Sequence, residues 1–122
     1  IKKLPDSDRS RVDVAFSTVD LVRDTPTVLV DWMQHFFPPS HPAASNAHVL
    51  RPTSKEQLTT TLEQLGLESA VQRKPDGSID VGHSAVMLFI DDHGVVRLGW
   101  PDGVAKADMP DDLRTLLALY AA

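Results

Sequence analysis

The stretch Phe16-Ser17-Thr18-Val19-Asp20-Leu21-Val22-Arg23-Asp24-Thr25-Pro26 decides how the rest of this chain is read. Residues 12–19, which lead into it, are rich in β-branched side chains and alternate only partly. A strand buried largely on both faces has that composition. At the far end, Thr25 can cap a helix and Pro26 is pre-set for the first helical position. Leu29, Trp32, Met33 and Phe36 then recur at helical spacing. The stretch is the passage from a buried strand to an amphipathic helix. Arg23 and Asp24 are expected to brace the helix start through a local ion pair.

Working outward, Pro38, Pro39 and Pro42 end that helix and open a loop that runs to about Asn46. His48-Val49-Leu50 reads as a short strand. Thr53 or Ser54 caps the next helix, whose apolar face includes Leu58, Leu62 and Leu65 and which Gly66 stops. Residues 70–73 and 78–81 flank Pro75-Asp76-Gly77, a turn signal for a hairpin. Residues 85–90 form the most apolar run and read as a central strand. Asp92-His93-Gly94 turns it into an antiparallel partner at 95–100, and the last helix begins near Pro110 and buries Leu113, Leu116, Leu117 and Tyr120. At the start, residues 1–4 read as the last turn of a helix closed by Pro5, and 5–10 as polar and turn-like. The order of elements is that of an α/β fold.

Composition narrows the function classes. At 122 residues the chain is one domain in size, and its 42% apolar content is that of a globular protein. Seventeen acidic against twelve basic residues give a net charge of −5, which disfavours nucleic acid and anionic lipid. No apolar run approaches the ~18 residues of a membrane span, so no direct membrane span is expected. With no cysteine, the chain itself has no disulfide, thiolate catalysis or cysteine-ligated zinc or iron–sulfur site.

Together with Gly82-His83-Ser84, the opening stretch resembles the second half of the Sco/SenC family of copper-handling proteins, which have a thioredoxin fold. In that family the strand leads into an aspartate, then a segment that usually contains proline and ends in Arg-Asp-Thr-Pro. Here Asp20, Arg23, Asp24, Thr25 and Pro26 match, and Leu21 stands where proline is common. The second motif is usually Asp-His-Ser; Gly82 replaces the aspartate, and His83 and Ser84 match. The resemblance implies an α/β, thioredoxin-like sheet flanked by helices. Residues 1–122 would form a single partial domain, without the family's N-terminal strand and most of its first helix. In a thioredoxin fold that strand lies between the strands corresponding to 12–19 and 85–90. Its loss is expected to expose two rows of backbone groups and much apolar surface. Preceding residues, a partner chain or re-pairing of the two strands would have to answer for them.

The same resemblance implies a function. The family builds a copper site from a C-x-x-x-C pair near the N-terminus and one distant histidine, thiolates suiting Cu(I) and imidazole accommodating Cu(II). His83 would be that histidine, in concert with two cysteines outside this chain, and Asp20 and Ser84 would be supporting or docking residues. One imidazole is not a site, so weak or no specific copper binding is expected of these residues alone. The implied role is copper metallochaperone for the copper centre of cytochrome c oxidase. Its partner would be the oxidase copper-site subunit or another copper protein, on the extracytoplasmic face of a membrane, where such proteins are usually membrane-anchored. Two alternatives stay open: a thiol–disulfide oxidoreductase of the same fold using the same cysteines, and a cysteine-free interaction module. An upstream C-x-x-x-C pair, a C-x-x-C pair or no cysteine would separate the three.

Other residues read more plainly. Asp20 is either such a supporting residue or a turn aspartate that caps its own backbone. His35, His41 and His48 read as surface histidines, and His93 as a turn residue. Trp32, Phe36 and Phe37 read as core and loop-packing residues, while Trp100 is buried or edges a docking surface. No serine elbow or glycine-rich phosphate loop occurs. Asp91 with Asp92, and Asp111 with Asp112, suit a charged turn and a helix start rather than acid–base catalysis.

Overall fold

The computed structural model describes residues 1–67, 69–77, 79–83, 86–101 and 107–120, and at 69–73, 79–83 and 86 the backbone alone. Ser78, Ser84 and Ala85, all used in the sequence reading, lie outside the described residues. The chain divides into two compact units, Asp13–Ser84 and Ile1–Val12 with Ala85–Ala122.

In the first unit β1 (Val14–Ser17) pairs in parallel with β2 (Ala47–Leu50), Val14 opposite Ala47 and Ser17 opposite Leu50. Helix α2 (Pro26–Phe36) joins them and lies against β2. Thr25 caps α2 by accepting from the Val28 N–H, and Pro26 occupies its first turn. Helix α3 (Lys55–Leu65) starts at Ser54, whose hydroxyl accepts from Gln57 N–H, and stops at Gly66 in the left-handed region (φ 68°). A residue with a Cβ is disfavoured there. Strands β3 (Ser69–Arg73) and β4 (Ile79–His83) form the expected antiparallel hairpin around Gly77 (φ 85°). Among the described residues, Leu29, Met33, Ala43 and Leu58 are the buried apolar residues of this unit.

In the second unit α1 (Asp6–Arg9) is a single helical turn, preceded by a turn in which Leu4 N–H donates to the Ile1 carbonyl. So 1–4 form a turn instead of the expected helix end, and the turn-like segment 5–10 holds a short helix. Strand β5 (Val86–Ile90) pairs antiparallel with β6 (Val96–Pro101), with a bulge between Phe89 and Ile90. Helix α4 (Met109–Tyr120) buries Leu116 and Leu117, while Leu113 is half-buried and Tyr120 is exposed. Among the described residues, Leu4, Trp100, Leu116 and Leu117 are the buried apolar residues of this unit.

Among the described residues the strands form three two-stranded sheets: β1 with β2, β3 with β4, β5 with β6. Neither β1 nor β5 pairs on its second edge there. That explains two departures from the sequence reading. Strand β1 is not buried on both faces: Val14 and Phe16 are half-buried and Ala15 and Ser17 exposed. Trp32 and Phe36, read as core, keep 44% and 52% of their surface. They stack instead in a row with Phe16, at ring-centroid distances of 4.2 and 4.7 Å. Aromatic rows of this kind keep contact enthalpy where full burial is missing. No helix among the described residues is long and apolar enough to cross a membrane.

Candidate functional site at the end of strand β1

Parallel strands β1 and β2 end level with one another, so the loops that follow them leave from the same edge. In α/β sheets that carboxyl edge is where ligands bind. The loop after β1 is held by side chains throughout. The Thr18 hydroxyl donates to the Asp24 carboxylate and accepts from the Asp20 N–H at 2.9 Å. Asp20 Oδ1 accepts from the N–H groups of Val22 and Arg23, at 3.2 and 3.1 Å. Its Oδ2 accepts from Arg23 Nε. Thr18 and Asp20 are both buried. Arg23 therefore pairs with Asp20 and not, as expected, with Asp24, because Asp24 is turned back onto Thr18.

The charge of Asp20 is stabilised within this loop. The side-chain hydrogen bond from Arg23, ahead of the backbone N–H groups of Arg23 and Val22, holds its carboxyl below the usual 3.8. Both oxygens are engaged inside the loop, and the exposed group at its tip is Val22, 81% accessible. Arg51, the first residue after β2, reaches across: its Nε donates to the Asp24 carbonyl at 2.9 Å and its Nη2 to the Leu21 carbonyl at 2.8 Å. Sequence reasoning did not single out Arg51, since nothing local marks a residue whose partners lie some thirty positions earlier.

His83 closes β4, its backbone opposite Ser69 in the hairpin register, and nothing further of it is described; Ser84 lies outside the described residues. The other histidines serve local contacts. His41 Nδ1 accepts from the Ala43 N–H and its ring stands edge-on to Phe37. His35 stands edge-on to Phe36, and His48 Nε2 lies 3.2 Å from the Asp13 carboxylate. His48 also lines an apolar groove of about 580 Å³ between α2 and β2. Among the described residues, the one group of three side chains with metal-binding atoms close together is Asp91, Asp92 and His93. Its geometry is that of a turn. Asp91 Oδ1 accepts from the N–H groups of His93 and Val95, and Oδ2 from Arg97 Nε at 2.7 Å. The Val95 N–H first, then Arg97, hold this carboxyl below its usual value as well. Trp100, left open between burial and docking, is buried, with its indole N–H donated to Asp112 at 3.0 Å.

The donor set within this chain does not fit copper by itself. Copper handling of this kind needs thiolates, and the 122 residues contain no cysteine.

The sequence pattern of the SCO1/SenC family matches residues 1–118, so the chain belongs to that family. Two solved structures share the fold. Arabidopsis thaliana ScoI with copper bound superposes with a TM-score of 0.74 at 18% identity, over 93% of this chain and 69% of that one. Bradyrhizobium japonicum ScoI with copper bound gives 0.69 at 18% identity, over 89% of this chain and 64% of that one. The chain thus spans about two thirds of the length of each. The likeness makes the fold α/β and thioredoxin-like, in agreement with the resemblance read from the two motifs. No curated protein sequence matches the chain.

Proposed function

We propose that this chain is the larger part of a copper-handling SCO1/SenC protein, with His83 as one copper ligand and two cysteines outside these residues as the others. Copper is cargo in this reading. The observation that carries it is the family match over residues 1–118 combined with a histidine at the position of the second motif. Support comes also from the two structural neighbours, both solved with copper bound. The acceptor would be the copper-site subunit of cytochrome c oxidase or another copper protein, reached on the extracytoplasmic face of a membrane. Asp20 would act there by organising the loop at the end of β1, and Ser84 by supporting the histidine segment.

Copper titration tests this reading. Residues 1–122 alone should bind no stoichiometric copper, because one imidazole is a weak isolated ligand. Protein expressed from the whole reading frame should bind one copper per chain, and His83→Ala should weaken that binding at least tenfold, since removing even a group that only orients a metal ligand costs about 10–100-fold. Unchanged affinity in His83→Ala, or no binding by the whole protein, would contradict it. A C-x-x-C pair upstream with disulfide exchange and no copper uptake would instead make the protein an oxidoreductase.

A further inference from the structure

The geometry points to Arg51 as the positioning residue of the β1 loop: it locks residues 20–25 into one preformed conformation at the edge proposed for copper transfer. The inference rests on the copper-handling reading. Arg51 leaves β2 one step beyond the Ser17–Leu50 pair, at the level where the loop after β1 begins. From there one planar guanidinium donates to two carbonyls three residues apart, Leu21 and Asp24. These carbonyls bracket Val22 and Arg23, whose N–H groups are in turn held from within by Asp20. The loop is thus clamped from both sides, its own carboxylate inside and a residue of the neighbouring strand exit outside.

The clamp has a chain-specific reason. Leu21 to Thr25 include no proline, so no ring fixes a φ angle within this loop before Pro26. Hydrogen bonds to the Leu21 and Asp24 carbonyls supply the constraint from a distance. A planar fork holds both carbonyls with two donors in fixed directions; an ammonium on a flexible stem lacks that preset geometry. Preformed loops matter in transfer between proteins because ordering on contact subtracts from the interaction.

The test compares Arg51→Lys and Arg51→Ala with wild type in protein expressed from the whole reading frame. Amide hydrogen exchange at Val22, Arg23 and Asp24 reports the loop, the urea midpoint reports the fold, and the rate of copper transfer to a chelating acceptor reports function. Both variants should exchange these amides about tenfold faster, as loss of one to two hydrogen bonds predicts. Transfer should change by a similar factor while Arg51→Lys leaves the urea midpoint in place, and Lys should not rescue Ala. Unchanged loop exchange overturns the inference, and so does faster exchange with unaltered transfer, which makes Arg51 a structural clamp only. If wild type takes up no copper, the copper reading itself fails and the inference falls with it, a result distinct from the other two.

Discussion

The loop after β1 and the turn after β5 are built on the same device. Each places an aspartate just past a strand, spends one carboxylate oxygen on two backbone N–H groups ahead of it, and gives the other to an arginine Nε. The difference lies in where the arginine goes next. Arg97 sits in β6 and lays its guanidinium over Tyr120 of α4, 4.5 Å from the ring centroid, so the turn is tied into its unit's framework. Arg23 stays on its own loop, half exposed, and that loop is fastened instead by Thr18 and by Arg51. A carboxylate with a lowered pKa and an arginine partner is therefore not a functional signal by itself. Its topology decides, one closing a hairpin and the other standing at the carboxyl edge of parallel strands.

Substitutions at the two arginines should separate the two regions. Arg97→Ala should cost about 2 kcal/mol, because it takes the arginine hydrogen bond from the Asp91 carboxylate and, unlike Arg23→Ala, also removes a contact with an aromatic ring, that of Tyr120. Tyr120→Leu, which keeps the ion pair, should cost about 1 kcal/mol. Arg23→Ala should cost less than about 1 kcal/mol, as its side chain is half exposed. Urea unfolding of the three variants checks the order, and equal losses in Arg97→Ala and Arg23→Ala would erase the distinction between the two regions.

The smallest effect is in pH. Both carboxyls have folded pKa values below their ordinary 3.8. Their stabilisation is complete above the unfolded value and is lost as pH falls through the lower folded values. Stability should hold steady down to about pH 5 and decline below about pH 4. Asp91→Asn and Asp20→Asn should each flatten that acid decline, and a variant with an unchanged slope would show that its carboxyl is not held as described.

Local signals in the sequence were legible in proportion to how local their physics is. Thr25 and Pro26 start α2, Gly66 stops α3, and Gly77 turns the β3–β4 hairpin, each within a few residues of its effect. Two short motifs, around Asp20 and His83, carried the fold family. What stayed illegible depends on distant neighbours. Arg51 acts on residues 21 and 24, and Asp91 is buried only because Arg97 and the turn close over it. The exposure of Trp32 and Phe36 reflects which elements surround them, a property their helical spacing does not encode. The choice of Asp20 over Asp24 as the partner of Arg23 was decided by Thr18, whose hydroxyl claims Asp24.

X-ray absorption spectroscopy of copper-loaded protein expressed from the whole reading frame reads the ligand set itself. Wild type should show two sulfur scatterers and one imidazole nitrogen, with the nitrogen lost in His83→Ala. A copper environment identical in wild type and His83→Ala, or one without sulfur, would contradict that ligand set.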